Sequence, residues 1–347
     1  MRHVDLKLDV TEAARLGEPA TIAATVHLPD RIDDGTIVCF GKPGGGYSKG
    51  YYTVDLPGAG PGSQAEWHAA RGWIFVSVDH LGVGDSSTAH EPARMDLTTL
   101  AATAQSAEQQ ILERLVAGDL ASGVGKLSNP LLLGIGQSMG GMMTVIQQGR
   151  YHCYDGIGIL GYSAVHTHPP VRPGEPPIVA PWLPRDTLLD EPMVVVNGPQ
   201  VAEAQRVTSH GGDVVDQGPN MAWGFFYDDV DTELVRADVT DFPTRNGNVP
   251  PWASGTLPAA VAMSSLTPGV VAPEAAAVTS PVLVAMGERD VCADPKGEPR
   301  AYKSATSVDL FICPRMGHMH NFAGTRELFW NRIETWAAWV AVARTAR

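Results

Sequence analysis

The sequence is short of cysteine, of positive charge and of long apolar runs, and each shortage removes a class of answer. Four cysteines (Cys39, Cys153, Cys292, Cys313) are scattered through 347 residues with no C-x-x-C pair. Cys39 and Cys313 fall inside apolar, strand-like runs, which predicts buried thiols and fits a reducing cytoplasm. Lys and Arg number 25 against 38 Asp and Glu, a net charge of −13, which argues against nucleic acid or an anionic membrane as partner. No run of about 18 apolar residues occurs. Residues Met1 to Lys7 are polar and alternating, with no apolar core of an export signal. A soluble, cytoplasmic protein is expected. There is no internal repeat and no low-complexity segment.

What remains is ordinary globular composition, with 44% hydrophobic and 18% charged residues, in a chain long enough for one domain with an insertion. Val4 to Val10 and Thr21 to Leu28 read as an antiparallel opening pair broken at Gly17-Glu18-Pro19. Short apolar strands follow at Thr36 to Phe40 and Trp73 to Val78, from Leu131 up to the turn that begins at Gly136, and at Gly156 to Tyr162, Pro281 to Met286 and Val308 to Cys313. Helices are predicted near Gln64 to Arg71, from an Asp96 cap over Leu97 to Leu115, after Ser138, and over Thr325 to Ala343. Strands alternating with helices imply right-handed crossovers and a mostly parallel sheet covered on both faces. The rhythm breaks between Ala164 and Thr279, a stretch rich in proline, acidic residues and aromatics (Trp182, Trp223, Phe225, Phe226, Tyr227, Trp252). A structureless loop of that length is implausible in a compact domain, so residues 164–279 are expected to form an inserted cap, with one helix near Asp231 to Val239. Residues 1–163 and 280–347 would form the core.

The sharpest local signal is Gly136-Gln137-Ser138-Met139-Gly140, a G-x-S-x-G sequence between an apolar strand and a helical run. A serine at the tip of a sharp strand-to-helix turn sits in strained backbone, and residues without Cβ on either side relieve the crowding. The helix N-terminus directs N–H groups and a positive dipole end at the site, where an oxyanion would form. In an open parallel sheet, functional groups collect beyond the C-terminal ends of the strands. Two further strand ends here carry Asp290 and His318. Ser138 as nucleophile, His318 as proton shuttle and Asp290 as the group that fixes the imidazole tautomer make up acyl-transfer chemistry. His320 competes with His318 for the base, and Glu288 and Asp294 compete with Asp290. Gly317 before His318 favours that histidine, because a flexible approach lets the ring turn. No carboxylate lies in Gly161 to His168 to serve as an alternative acid.

These patterns resemble the α/β-hydrolase superfamily, over roughly residues 20–163 and 280–345. Gly136 to Gly140 matches its nucleophile elbow, Asp79 to Ser86 its D-x-x-G-x-G-x-S turn, Gly287 to Asp290 a G-x-x-D turn, and Gly317-His318 the histidine loop. Pro43-Gly44-Gly45-Gly46-Tyr47 is similar to the HGGG loop of esterases, with proline in place of the leading histidine, so that histidine's own hydrogen bonds are lost. The resemblance implies an α/β-hydrolase fold, a catalytic triad, no cofactor, and oxyanion donors from the N–H groups of Met139 and Gly45, with Gly46 as a further candidate. A nucleophilic serine argues against haloalkane or epoxide chemistry, for which this superfamily carries aspartate.

Other readings of these residues are weaker. His166-x-His168 and His318-x-His320 lack further ligands at metal spacing. Gly134-x-Gly136 has Met139 where a dinucleotide fingerprint needs its third glycine, and Gly41 to Gly50 lacks a G-K-[ST] ending. His27, His68, His152 and His210 read as surface or satisfied interior residues. The expected function is a serine hydrolase of carboxylic esters, thioesters or lactones acting on a small, apolar acyl substrate. An acyltransferase or C–C bond hydrolase would use the same triad, and a non-catalytic binding protein would have lost part of it. Oligomeric state and acyl length do not follow from these residues.

Overall fold

The computed structural model describes residues 2–56, 62–91, 94–122, 124–174, 185, 221–243, 245 and 247–345. The expected features at Trp182 and His210, and much of 175–220, lie outside them.

Eight strands form one sheet: β1 (Arg2–Asp9), β2 (Thr21–Leu28), β3 (Ile37–Lys42), β4 (Ile74–Val78), β5 (Leu131–Gln137), β6 (Gly156–Leu160), β7 (Val282–Gly287) and β8 (Val308–Cys313), in the order β1-β2-β4-β3-β5-β6-β7-β8. The opening pair is antiparallel, as expected, and β2 also runs antiparallel to β4; every later pairing is parallel. The burial patterns follow from this topology. β1, at the edge, alternates between exposed and covered positions, whereas the six residues of β7 are all buried. A parallel strand covered on both faces has no solvent side to mark with polar residues.

Successive side chains supply opposite faces. Val38 and Phe40 of β3, with Ile74, Val76 and Val78 of β4, pack in one cluster with α4 (Leu97–Ala117) and α5 (Met139–Tyr151). Cys39 and Phe75 face the other way, into a cluster with Trp330 and Trp336 of the closing helix α10 (Arg326–Thr345). Cys39 and Cys313 are both buried and free, as their strand positions predicted.

Local capping explains where several helices begin. Ser63 and Glu66 form a reciprocal capping box at the start of α3 (Gln64–Ala69). The Asp96 carboxylate accepts from Thr99 N at 2.7 Å at the start of α4. Asp231 caps α7 (Thr232–Val239), the helix expected there. Shorter helices α1 (Thr11–Ala14), α2 (Gly50–Thr53), α6 (Met221–Phe225), α8 (Ala259–Ser264) and α9 (Ala272–Ala277) complete the described set. Strand β6 ends two residues earlier than the sequence suggests, because Gly161 turns the chain with φ of 58°. Among the described residues no helix is long and apolar enough to cross a membrane.

Candidate active site

Four strand ends meet at one place. β5 delivers Ser138, β3 the glycine loop, β7 Asp290 and β8 His318. Ser138 sits between β5 and α5 with φ 54° and ψ −120°, a left-handed conformation that a non-glycine residue rarely adopts. Such strain costs on the order of 1–3 kcal/mol and is held here by the strand and helix on either side. The flanking glycines are needed for close approach. A Cβ at Gly136 would collide with the Gly140 carbonyl, and one at Gly140 would collide with the carbonyls of Lys42 and Pro43. Gly140 therefore makes room for the glycine loop more than for its partner in the elbow.

Asp290 is the most completely bonded group of the site. Its carboxylate accepts from Gly287 N at 2.8 Å, Val291 N at 2.7 Å, His318 Nδ1 at 2.7 Å and His320 Nε2 at 2.8 Å. Burial alone would raise its pKa. The charge and hydrogen bond of His318, then those of His320, outweigh burial and hold the carboxyl well below the usual carboxylate range. The rival carboxylates are engaged elsewhere: Glu288 accepts from Arg315 N at 2.8 Å, and Asp294 caps a 3-10 turn and pairs with Arg300.

Both candidate histidines thus reach the same carboxylate, but their other nitrogens face different ways. His318 lies under the Phe225 ring, 4.8 Å between centroids, and its Nε2 is 3.2 Å from the side-chain amide of Gln137, next to the serine. The His320 ring lies against Phe329 of α10 at 4.4 Å, and its Nδ1 is buried with no partner among the described residues. Burial lowers the His320 pKa, although Asp290 opposes that. The structure brings Asp290 together with both imidazoles. It does not bring Ser138 into a hydrogen bond with either: among the described residues the place at His318 Nε2 is taken by Gln137. This contact was not anticipated. The signal for it was a long amide side chain at the second position of the G-x-S-x-G sequence.

The oxyanion side has a different character. The N–H groups of Gly45, Gly46 and Met139 have no acceptor among the described residues, which is the state an oxyanion hole requires. The loop that carries the first two lacks the histidine of the HGGG pattern, and a different one braces it. His80, from the turn after β4, is 2.9 Å from the Pro43 carbonyl through Nε2. Burial pushes the His80 pKa down to about 4, so the ring is neutral and its single N–H is the one donated to that carbonyl. Beneath the loop, Lys42 is buried with Glu108 at 2.6 Å and the Tyr154 hydroxyl at 2.7 Å.

The segment between β6 and β7 holds the loop from the other side. Arg245 donates to the Gly46 carbonyl and to Asp238, both side chains being buried. Asp238 also accepts from Tyr47 and from Trp252 Nε1, each at 2.6 Å. Burial raises the Asp238 pKa, against the charge of Arg245. Sequence reasoning missed this network, since its members give no spacing pattern. Elsewhere, the His166 and His168 rings lie 3.7 Å apart, tilted at 52°, and among the described residues no three potential metal ligands cluster. His27 and His68 are buried, and His152 is exposed.

Known structures of this architecture are numerous. The chain is similar to a bromoperoxidase from Bacillus anthracis (15% identity, TM-score 0.58, covering 96% of this chain and 99% of that one). It is also similar to a thermophilic esterase from Thermogutta terrifontis (14%, TM-score 0.56, 97% and 99%). An enol-lactonase from Burkholderia xenovorans LB400 matches at 11% identity with TM-score 0.55, covering 92% and 97%. No protein-family model and no curated protein matches the sequence. The chain has the α/β-hydrolase fold. At these identities the likeness establishes the fold and leaves the activity to the site.

Proposed function

We propose that the protein is a serine hydrolase that cleaves a carboxylic ester, thioester or lactone through an acyl-enzyme. The observation that carries the reading is the Asp290–His318 pair: a buried carboxylate fixes the proton on Nδ1 and leaves the Nε2 lone pair toward the elbow that bears Ser138. Ser138 Oγ attacks the substrate carbonyl carbon while His318 Nε2 takes its proton. The oxyanion forms against the N–H groups of Met139 and Gly45, with Gly46 beside them. Collapse breaks the bond to the leaving group, which receives the proton from Nε2. Water then attacks the acyl-serine by the same route and releases the acid. His320 is the second donor to Asp290 and not the base, because its remaining nitrogen faces the core. An esterase and a lactonase among the similar structures are in keeping with this chemistry.

Residues 164–279 act in this reading as a cap. Its described part lays Phe225 on the base and sets Leu257 and Ala262 near Gly45, an apolar wall suited to an apolar acyl group. The reaction needs no cofactor. A fluorophosphonate probe tests the assignment, since the serine displaces fluoride from phosphorus. Labelling of the wild-type protein and its absence in Ser138→Ala are expected; a wild-type protein that resists the probe would refute the reading.

A further inference from the structure

One buried polar group takes no part in the mechanism just given. Gln137 is 1% exposed, and its amide nitrogen lies 3.1 Å from the His318 carbonyl oxygen and 3.2 Å from His318 Nε2. The carbonyl can only accept, so the atom facing it is the NH2 group. The ring nitrogen meeting the same NH2 is therefore the unprotonated one, in agreement with Nδ1–H donating to Asp290. The amide oxygen, in turn, is buried with no partner among the described residues and presses on Gly44, where any Cβ would collide with it. The fold leaves this bond unmade while the other end of the amide covers the base.

An imidazole nitrogen has one lone pair, directed in the ring plane, and it accepts one strong hydrogen bond at a time. The Ser138 hydroxyl makes no hydrogen bond among the described residues. Given the assignment of His318 as base, on which this inference rests, we propose that Gln137 is a positioning residue whose carboxamide holds the Nε2 lone pair in the free protein and turns away when Ser138 is activated. The other titratable groups around His318 act elsewhere. Asp290, from the loop after β7, binds Nδ1, and His320, from the turn after β8 that also carries His318, binds the far oxygen of Asp290. The Tyr51 hydroxyl of α2 accepts from Asn321 N, and Arg289 is turned to the Phe226 carbonyl and Asp228. Phe225 covers the ring without charge.

The test is the rate of fluorophosphonate labelling at one pH in wild type, Gln137→Leu and Gln137→Met. Removing the donor frees Nε2 for the Ser138 hydroxyl and is expected to raise the labelling rate by about 2–10-fold, whereas a merely structural loss would lower it. Methionine matches glutamine in length without an N–H, so it carries the test if the leucine variant does not fold, as judged by circular dichroism. A rate that stays unchanged or falls in a folded variant overturns the proposal. Failure of the underlying assignment looks different: the wild type is then unlabelled, or Ser138→Ala still reacts.

Discussion

Under the proposed function, the two halves of the candidate site are built on opposite principles. On the acid–base half, all four lone-pair positions of Asp290 are filled, by two backbone N–H groups and two imidazoles. On the oxyanion half, the N–H groups of Gly45, Gly46 and Met139 and the hydroxyl of Ser138 have no partner among the described residues. A carboxylate that must stay ionised in a buried place needs its bonds made by the fold, because desolvation would otherwise neutralise it. Donors meant for a charge that appears only in the transition state must be held in place and left unused. The difference extends to what supports each half. Asp290 and its histidines are held by strand ends β7 and β8, whereas the glycine loop is braced by His80 on one side and by Arg245 of the inserted segment on the other.

Breaking each half in turn should therefore give different failures. His318→Ala is expected to have the largest effect, a fall of about 10⁴–10⁶ in kcat with little change in thermal stability, read by steady-state kinetics on a short-chain ester. If activity survives that change and disappears in His320→Ala, the assignment of the two rings is reversed. Arg245→Met should instead act through the fold: it leaves the buried Asp238 carboxylate without its cation, at about 3–5 kcal/mol, visible as a lowered midpoint in urea. Labelling of Ser138 should slow as well, since Gly46 loses its anchor. An unchanged midpoint would mean that the inserted segment does not secure the loop.

His320→Leu removes one donor from Asp290 and leaves His318 in place. A fall in kcat of about 10–100-fold is expected, with KM unchanged. The smallest effect concerns His80. Its pKa is depressed in the folded protein to about 4, so its contribution is present above the ordinary histidine value of about 6.5 and is lost as pH falls toward 4, because only the unfolded chain takes up the proton. His80→Gln keeps a donor for Pro43 without a titration. Its stability should decline less steeply than that of the wild type between these pH values, by about 1.4 kcal/mol per pH unit, as measured by urea unfolding across the range.

Much of the acid–base half was legible before any coordinates. Asp290 and His318 stand directly after apolar strands, and a parallel sheet collects such residues at one edge. The sequence also placed Ser138 at a strand-to-helix turn, which its φ of 54° bears out. It favoured His318 over His320 only through the preceding Gly317, because residues two apart on an irregular turn have no periodicity to separate them. The brace on the candidate oxyanion loop was not foreseen, for a related reason. The missing leading histidine was visible at Pro43, but its replacement sits 37 positions away at His80.

The sequence alone determined the elements of this protein, because strand runs, helix caps and a glycine-flanked serine are written in neighbours a few residues apart. Asp96, Ser63 and Asp231 begin their helices whatever the rest of the chain does. Only the tertiary structure decided which polar groups meet. Gln137 and His318 are 181 positions apart, and Tyr47 and Asp238 are 191 apart. Such contacts depend on the order of strands in the sheet and on where the inserted segment comes to rest, and desolvation at those meeting points sets the charge each group can carry.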